Sequence, residues 1–517
     1  MNTQDLLALI NHTGTTSGDL TTIKIDRESF TALCEQLNKK FDLRLALLYA
    51  TDQIKESGTF GLHAIFSLDE THEWLQISTE LPEKDPSYES LTKTIMAAHW
   101  YERYAMDMFG IVATGHPDPR RLVHHENIPL GTHPLRKDFA WNTKLEHDDV
   151  PYPMHHVVGE GIYEIPVGPI HAGIIEPGHF RFNVAGERII TLEGKLFFTH
   201  KGVEKLLEGK TTTEALPFIE RISGDMAAAH ALAFCQAIES ISDAKISDRA
   251  RHIRSLLNEL ERITMHVFDI GNMCGMGTGF TVMAAQGFQI KERMMRLSQS
   301  ICGNRFWRGL IVPGGLARDL TDDELNLIQS TVTKANADIQ ALIRMGRHQD
   351  GLRERLETTG VLRKEVAMAY GAVGLPARAS GLALDVRHNH PYAGYDELKP
   401  EMVTLEIGDV YARFKMRYRE LAISANLVEK IIINLKPESI YTELKIQDGL
   451  GLSAVEAWRG EILTVVAIKD GKIERCVARD PSFCNWALFG EIGPGNIVPD
   501  FPLCNKSLNL SYSGTDM

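Results

Sequence analysis

Short apolar runs, broken by glycine or charged residues, dominate the first part of the chain. Runs of this length are typical of β-strands bounded by turns. The clearest are residues 43–49 (LRLALLY), 60–66 (FGLHAIF) and 74–78 (WLQIS). Ser87 is then in a position to cap a helix that carries Leu91, Ile95 and Tyr101 near one face. The first part is therefore predicted to mix short strands and helices.

The pattern changes after residues 138–161, a polar stretch with two prolines that predicts a linker. A strand-like segment at 189–196 gives way to apolar residues three and four positions apart, the spacing of a buried helix face. One helix is predicted after a capping box, Thr321-x-x-Glu324, and another from about Asp409. The three apolar sets are Ile253, Leu256, Leu257, Leu260 and Ile263; Leu325, Ile328, Val332, Ala335, Ile339 and Leu342; and Tyr411, Phe414, Tyr418, Leu421 and Ala425.

A β-hairpin is predicted near the end of the chain. Its strands are residues 461–468 and 473–478, and Asp470-Gly471 forms the turn. Together these patterns predict an α+β protein. A small N-terminal α/β module (residues 1–140) is followed by a linker (141–161). A larger helix-rich bundle (162–517) then carries small β elements at both ends.

Composition narrows the functional classes. The chain has 517 residues, of which 44% are hydrophobic and 24% charged, and a net charge of -13. An acidic chain lacks the basic surface that nucleic acid requires, so no nucleic-acid partner is expected. The sequence contains no run of about eighteen apolar residues, so no membrane span is predicted. The start, MNTQDLLALINHTG, does not have the pattern of a secretory signal. We expect a cytoplasmic protein.

The seven cysteines are scattered, and no two are separated by two residues. This spacing favours reduced, mostly buried thiols over a disulfide framework or a paired-cysteine metal site.

Three strings in the first module carry a family resemblance. They are residues 102–111 (ERYAMDMFGI), 116–121 (HPDPRR) and 133–139 (HPLRKDF), where prolines fix an extended path beside arginines. In this order they closely resemble the thirty-kilodalton subunit family of complex I, with Pro119 where that family usually has leucine. The resemblance implies a docking module without a redox centre.

The second module looks like the large subunit of group-four (energy-converting, formate hydrogenlyase-like) NiFe hydrogenases, which is homologous to the forty-nine-kilodalton subunit of complex I. The resemblance covers nearly all of residues 160–517. It rests on residues 166–182 (PVGPIHAGIIEPGHFRF), 197–205 (FFTHKGVEK), 220–230 (ERISGDMAAAH), 378–398 (RASGLALDVRHNHPYAGYDEL) and 479–485 (RDPSFCN).

The nickel ligands of that family are absent. The family holds its metals with four thiolates from two C-x-x-C pairs, as suits soft metal ions. Ser223 and Met226 occupy the first pair, and Ser482 and Asn485 occupy the second. Cys484 is one place out of register. We therefore expect no metal bound by this chain and no NiFe hydrogenase activity.

Quinone reduction is the alternative that the resemblance leaves open. Arg479, Pro481, Ser482 and Phe483 fit the form R-x-P-S-F of the forty-nine-kilodalton family, and His179 falls where that family lines a quinone pocket. A histidine there can donate a hydrogen bond and pass a proton. Two other usual contacts are missing, because Gly224 stands at the tyrosine position and Met276 aligns with the supporting aspartate.

Charged and polar residues remain in the matching strings. Buried charges need partners, so we expect an internal network in which Arg221 and Arg387 face acidic residues. Either it only holds the bundle together, or it conducts protons or binds a small acceptor. The other members of this network are Glu204, Asp225, His230, Asp385 and Asp480. The candidates for a catalytic role are His179, Glu204, Arg221 and Asp225. An ancestral cavity of unknown ligand would be lined by His171, His179, Arg387, Asp480 and Ser482.

The expected function is that of a large subunit in a membrane-associated oxidoreductase complex related to complex I and hydrogenases, without a NiFe centre. It would take part in electron transfer or in coupling that transfer to ion translocation. The alternatives are a quinone-site subunit of the NADH-quinone oxidoreductase C–D type and a noncatalytic coupling subunit.

The resemblance also implies partners. They are a small subunit with an iron–sulfur cluster, similar to the twenty-kilodalton subunit of complex I, and membrane subunits of an ion-translocating module. The chain is expected to bind no cofactor of its own. Quinone is the one ligand that the resemblance leaves open. It would lie on the inner face of the cell membrane, peripheral to the bilayer.

Overall fold

The computed structural model describes residues 1–171, 175–242 and 244–517, apart from the side chain of residue 276. Ala172, Gly173 and Ile174, within the string 166–182, lie outside the described residues, as does the side chain of Met276. Within the described part, no helix is both long and apolar enough to cross a membrane.

The first module is built on a five-stranded sheet of order β1-β2-β5-β4-β3. All three predicted strands are present, each longer than predicted, because the buried runs continue through polar residues such as Asp52 and Ser67. The elements are α1 (Thr3–Ile10), β1 (Thr15–Ser17), β2 (Leu20–Lys24), α2 (Arg27–Phe41), β3 (Arg44–Gln53), α3 (Ile54–Ser57), β4 (Thr59–Leu68), β5 (Glu73–Pro82), β6 (Ser87–Glu89), α4 (His99–Phe109) and β7 (Val112–Thr114).

The helix predicted from Ser87 was wrong. Ser87–Glu89 is the short strand β6, which pairs with β7, and α4 begins only at His99. The buried carboxylate of Glu102 accepts hydrogen bonds from the backbone N–H groups of Leu91 (2.7 Å) and Thr92 (3.2 Å). These bonds hold the segment before α4 as a loop. A contact between residues about ten positions apart in the chain overrides the local apolar spacing.

The second module begins with a three-stranded sheet and a series of helices. The strand predicted at 189–196 is β10, and two strands that were not predicted pair beside it. The elements are β8 (Ile162–Val167), β9 (His179–Ala185), β10 (Arg188–Lys195), α5 (Val203–Leu207), α6 (Thr212–Ile219), α7 (Ala227–Glu239), α8 (Asp248–Asn272), α9 (Thr281–Cys302), β11 (Ile311–Val312), β12 (Gly315–Leu316) and α10 (Asp322–Arg347).

The remaining predicted elements are confirmed. Both halves of the Thr321/Glu324 capping box are formed, and Asp409 caps α16 by accepting from Ala412 N–H. Asp470 and Gly471 both have positive φ, at 52° and 70°, as this hairpin turn requires. These elements are α11 (Asp350–Leu356), α12 (Lys364–Ala369), α13 (Gly374–Ala379), α14 (Val386–Asn389), α15 (Tyr395–Leu398), α16 (Val410–Asn434), β13 (Gly449–Glu456), β14 (Glu461–Lys469), β15 (Lys472–Arg479), α17 (Pro481–Asn485), α18 (Phe489–Ile492), α19 (Phe501–Leu508) and α20 (Tyr512–Asp516).

The fold is thus an α+β protein with a small N-terminal part and a helix-rich remainder, as predicted. Helices α8, α9, α10 and α16 pack against one another, and α7 packs on the β13–β15 sheet. The first module lies against that sheet, and Arg44 on β3 pairs with Glu461 on β14. We call this contact the module seam.

Residues 141–161 contain no helix or strand, and residues 141–149 are all exposed. Further along, the Tyr152 ring lies beneath the cationic groups of Arg120 and Lys195 (5.4 and 4.1 Å). The second half of the expected linker is therefore held against the folded protein.

Candidate functional site

The four positions expected to replace nickel cysteines lie in two short segments. Ser223 and Met226 are in the turn between α6 and α7, and Ser482 and Asn485 are on α17. All four are buried, with at most 1% of their surface exposed. The fold therefore brings the two pairs together from distant parts of the chain.

Ser511 joins the two pairs through hydrogen bonds. Its Oγ lies 3.0 Å from Ser223 Oγ, and its N–H donates to Ser482 Oγ (2.9 Å). The side-chain amide of Asn485 bonds to the backbone of Val373. Its Oδ1 accepts from the Val373 N–H (3.2 Å), and its Nδ2 donates to the Val373 carbonyl (3.1 Å). The polar atoms of these side chains therefore have partners within the protein.

These residues do not fit a nickel–iron centre. A thioether, two hydroxyls and an amide stand where the resemblance implies four thiolates; the hydroxyls are bonded to Ser511 and the amide to the backbone of Val373. In the described part of the chain, no three His, Cys, Asp or Glu side chains are placed to hold a metal ion.

Asp480 and His230 form a buried pair beside the serines. His230 Nε2 lies 3.1 Å from Asp480 Oδ2, and Ser482 N–H donates to Oδ1 (2.8 Å). Burial raises the pKa of Asp480, but the contact with His230, the charge of Arg459 and the Ser482 N–H together outweigh it, so the net shift is downward. Gly514 closes over the pair, since a Cβ there would lie 2.3 Å from Asp480 Oδ2. This position therefore accepts only glycine without rearrangement.

Asp225 is held by a bidentate ion pair. Arg459 Nη1 and Nη2 donate to its two carboxylate oxygens (2.7 and 2.8 Å), and Ser223 Oγ donates to Oδ1 (3.0 Å). Arg221 does not join this network, contrary to expectation. It is exposed and bonds the carbonyl of Pro217 one turn earlier, because its side chain points away from the turn.

Glu204 lies at the module seam. Tyr104 on α4 donates its phenol proton to Glu204 Oε2 (2.6 Å), and Arg475 on β15 donates to the same oxygen (3.2 Å). These side chains line a cavity of about 40 Å³ that extends to Asp480 and Phe483. The first module therefore contributes side chains next to the expected site, which its resemblance to a docking module did not predict.

The two histidines of the string 166–182 bond to nearby backbone. His171 Nε2 contacts the Gly178 carbonyl (2.7 Å), and His179 Nδ1 contacts the Gly168 carbonyl (3.3 Å). Arg181 Nε donates to the other ring nitrogen of His179 at 3.4 Å. Both nitrogens of His179 are thus engaged in this structure.

A larger charged group fills the centre of the second module. We call it the buried cluster, and each member has at most 3% of its surface exposed. Asp385 and Arg387 were expected here, and the other six members were missed. The members are Glu259, Arg262 and His266 on α8; Arg378 on α13; Asp385 and Arg387 at the start of α14; Glu420 on α16; and Glu456 on β13.

Arg378 connects two carboxylates of the buried cluster. Its Nη2 donates to Glu420 Oε1 (2.8 Å) and its Nη1 to Glu456 Oε1 (2.6 Å). Burial raises the pKa of Glu420, but Arg378 and the hydrogen bond from His266 hold it well below its ordinary value. Glu420 is therefore ionised.

Arg387 joins the remaining acids. It makes two side-chain bonds to Asp385 (3.0 and 2.7 Å) and one to Glu259 Oε1 (3.1 Å). Arg262 Nε lies 3.3 Å from Glu259 Oε2. The spacing of Glu259, Arg262 and His266 at i, i+3 and i+7 places them on one side of α8. That spacing was the available signal in the sequence.

Comparison with known families matches three parts of the chain. Residues 23–144 match the respiratory-chain NADH dehydrogenase 30 Kd subunit, and residues 277–447 match the 49 Kd subunit. Residues 201–276 match the nickel-dependent hydrogenase family.

Curated relatives cover most of the chain. Formate hydrogenlyase subunit 5 of Escherichia coli (strain K12) is 31% identical over 481 residues, which cover 91% of this chain and 84% of the relative. Hydrogenase-4 component G of the same strain is 30% identical, with 91% and 83% covered. The C/D subunit of NADH-quinone oxidoreductase from Phocaeicola vulgatus is 29% identical, with 78% and 82% covered.

Proposed function

The chain belongs to the family of fused complex I-like subunits that includes formate hydrogenlyase subunit 5, and from this premise we propose that it is the large subunit of a membrane-associated oxidoreductase complex, without a nickel–iron centre. It takes part in electron transfer, or in coupling that transfer to ion translocation. The relatives named as membrane-bound hydrogenase and NADH-quinone oxidoreductase subunits support this placement.

One observation carries the proposal that nickel is absent. The four thiolate positions hold Ser223, Met226, Ser482 and Asn485, and Ser511 bonds to two of them. A neutral hydroxyl, thioether or amide is a poor ligand for a soft metal ion compared with a thiolate, and these hydroxyls are already bonded within the protein. We infer that this region has changed from a metal site into a packed, hydrogen-bonded part of the bundle.

Electrons must then come from another chain. We propose a small subunit with an iron–sulfur cluster as the partner, and membrane subunits that move ions beneath it. The complex would lie on the inner face of the cell membrane. Within it, Glu204, Asp225, Arg387 and Asp480 would form the charged interior that responds to electron transfer, together with His171, His179 and Ser482 nearby.

A quinone-reducing subunit of the NADH-quinone oxidoreductase C–D type is the second candidate. Arg479, Pro481, Ser482 and Phe483 support it by keeping the form R-x-P-S-F. Gly224 weighs against it, because an exposed glycine offers no phenol to a quinone oxygen. The third candidate is a noncatalytic coupling subunit. The hydrogen bonds of Ser511 to Ser223 and Ser482, which fill this region, support it.

Metal analysis of the purified native complex tests the proposal, combined with hydrogen-uptake and quinone-reduction assays. We expect iron from the partner and no stoichiometric nickel. Stoichiometric nickel in this chain would overturn the proposal. Quinone reduction without nickel would favour the second candidate, and absence of both activities would favour the third.

A variant pair separates the second candidate from the others. If the complex reduces quinone, His179→Ala should lower the rate at least tenfold. His147→Ala, in the exposed part of the linker, should leave it unchanged. Equal rates in both variants would exclude His179 from quinone binding.

A further inference from the structure

The buried cluster contains unequal numbers of acids and fixed cations. Its carboxylates are Glu259, Asp385, Glu420 and Glu456, and its guanidinium groups are Arg262, Arg378 and Arg387. If every carboxyl were ionised and His266 neutral, one negative charge would remain without a counterion. An uncompensated charge at this depth is strongly unfavourable, and such a group takes up a proton instead.

Neighbouring ion pairs do not supply the missing positive charge. Arg417 is bonded to Asp269 (2.7 Å) and Arg459 to Asp225, each in an equal pair. Arg413 has the charge of Asp409 nearby and donates to Ser507 Oγ and to the carbonyls of Gly408 and Gly360. These three cations are therefore bonded to groups outside the buried cluster.

The other titratable groups nearby do not change this count. His388 lies near Asp385, but burial and the charge of Arg387 lower its pKa, which disfavours the imidazolium form. Lys291 and Lys506 are partly exposed and face Asp225 and Asp269 rather than the buried cluster. Burial raises the pKa of Glu261 to about 8, so near neutral pH it is mostly a neutral acid. The excess of one carboxylate thus belongs to the buried cluster.

Two members of the buried cluster are able to take the proton. His266 Nε2 contacts Glu420 Oε2 (3.0 Å), and its Nδ1 has no hydrogen-bond partner among the described residues. Burial lowers the pKa of His266, which disfavours the imidazolium form. Burial raises the pKa of Glu456 despite the nearby Arg378, and the charge of Asp385 adds to the rise. Glu456 is therefore the better holder.

Each carboxylate oxygen of Glu456 accepts one hydrogen bond, from Arg378 Nη1 to Oε1 (2.6 Å) and from the Val386 N–H to Oε2 (3.1 Å), and the neutral backbone donor leaves Oε2 able to carry a proton. Glu456 faces Arg262 on α8, Arg378 on α13, Asp385 before α14, and Tyr392. The Tyr392 phenol contacts the backbone of Glu456 (3.0 Å to N). A cleft of about 360 Å³ at the module seam is lined by Tyr392, Ser453 and Ala454. It brings solvent to within two residues of Glu456 along β13.

We propose that the buried cluster is a proton-binding site that holds one exchangeable proton on Glu456. Loss of that proton to water converts the carboxylic acid into a carboxylate and leaves the buried cluster with one net negative charge. Resting on the proposed function, this site stores the proton that is taken up or released when electrons reach the partner subunit. Its chemistry requires no bound metal or quinone.

Infrared spectroscopy of the full chain, at neutral and alkaline pH, tests the site directly. We expect the carbonyl band of a protonated carboxylic acid at neutral pH, lost when the pH is raised. Glu456→Gln should remove one component of this band, and Glu261→Gln should remove a separate one. A band that Glu261→Gln removes completely in the otherwise unchanged chain would overturn the proposal, even if Glu456→Gln fails to fold.

Stability provides the second readout. A carboxyl whose pKa is raised in the folded state stabilises the fold at low pH, and this contribution is lost as pH rises through the folded-state pKa. Glu456→Gln should therefore keep the wild-type thermal midpoint at mildly acidic pH and show a smaller decline toward alkaline pH, because the decline that belongs to Glu261 remains. Glu239→Gln is the matched control, because Glu239 is bonded one-to-one with Arg254. It should lower the midpoint at all pH values and retain the decline.

These outcomes separate the two proposals. If Glu456→Gln has the same alkaline decline as wild type, the proton site is wrong. Loss of hydrogen, quinone or assembly activity would leave the infrared and stability results unchanged. If the native complex shows neither redox activity nor proton exchange on reduction, the proposed function fails while the proton site stands.

Discussion

The module seam and the buried cluster are both built from arginines and carboxylates, but they differ in which partner is shared between two others. At the module seam, Glu461 accepts from both Arg44 and Arg479, and Glu208 lies 3.0 Å from both Lys137 and Lys205. In the buried cluster, Arg378 instead serves two carboxylates. Single carboxylates at the module seam thus each face two cations, whereas in the buried cluster one cation serves two carboxylates.

This difference decides whether a buried carboxyl stays ionised or can take up a proton. Burial raises the pKa of Glu461, but Arg44 and Arg479 lower it overall, so this carboxyl stays ionised and its contacts stay fixed. Glu456 shares its arginine and its pKa is raised. An interface that must stay closed benefits from the first arrangement, and a group that must exchange a proton requires the second.

The largest expected effect comes from removing a cation where acids are in excess. Arg378→Met leaves Glu420 and Glu456 buried without their main partner, so we expect the free energy of unfolding to fall by about 3–5 kcal/mol at neutral pH. Denaturant titration measures it. Arg479→Met, the counterpart at the module seam, should cost less because Glu461 keeps Arg44. Equal losses would mean that the two regions respond alike when one arginine is removed.

Acidification should act on the module seam. Burial lowers the pKa of His124 to about 4, and Arg121, His133 and His200 on both sides of the module seam contribute. A lowered folded-state pKa gives stability that is present above about pH 6.5 and is lost as pH falls toward 4. We expect a loss on the order of 3 kcal/mol over this window. His124→Gln should remove this part of the pH dependence, and an unchanged profile would contradict the assignment.

A smaller effect is expected from the phenol that crosses the module seam. Tyr104→Phe removes the hydrogen bond to Glu204, which keeps Arg475. A hydrogen bond to a charged group contributes about 1.5–3 kcal/mol, and the remaining partner places the loss near the lower limit. Thermal unfolding checks this. A loss as large as that of Arg378→Met would mean that Tyr104 acts on more than Glu204.

The smallest effect sets the baseline. Arg353 and Glu357 form an exposed pair one turn apart at the end of α11 (2.8 Å). Arg353→Ala should leave the free energy of unfolding within experimental error of wild type, because solvent screens such pairs. A marked loss would show that removing a charge at any position destabilises the chain, so the effect of Arg378→Met would not be specific to the buried cluster.

Much of the fold could be predicted from local patterns. Helices α8, α10 and α16 have long apolar periodicities and N-terminal caps, and the β14–β15 hairpin has its turn residues. Strands β8, β9 and β13 were missed, because their burial depends on partners elsewhere in the sheets. The segment before α4 was misassigned, because Glu102 binds the backbone N–H groups that a helix would use.

The site was less predictable than the fold. The expected replacement of four cysteines was inferred from the sequence alone, but the hydrogen bond between Ser511 and Ser223 joins residues 288 positions apart. Tyr104 lies in the other module, 100 positions from Glu204. On α8, Glu259, Arg262 and His266 resemble a solvated side, because charges are usually exposed. Their burial depends on α13, α14 and α16, which periodicity does not place.

The exposed stretch 141–149 leads to one more consequence, for how the two halves stay together. A protease should cut there first, since exposed segments without secondary structure are preferred sites of cleavage. The fragments should still elute as one species, held by bonds such as Arg44–Glu461 and Lys137 to the Glu474 carbonyl. Unfolding of the nicked protein should then depend on its concentration, because the cut removes the tether that fixed the local concentration of one half around the other. In this respect the chain would behave as a heterodimer whose two halves are joined by one dispensable peptide segment.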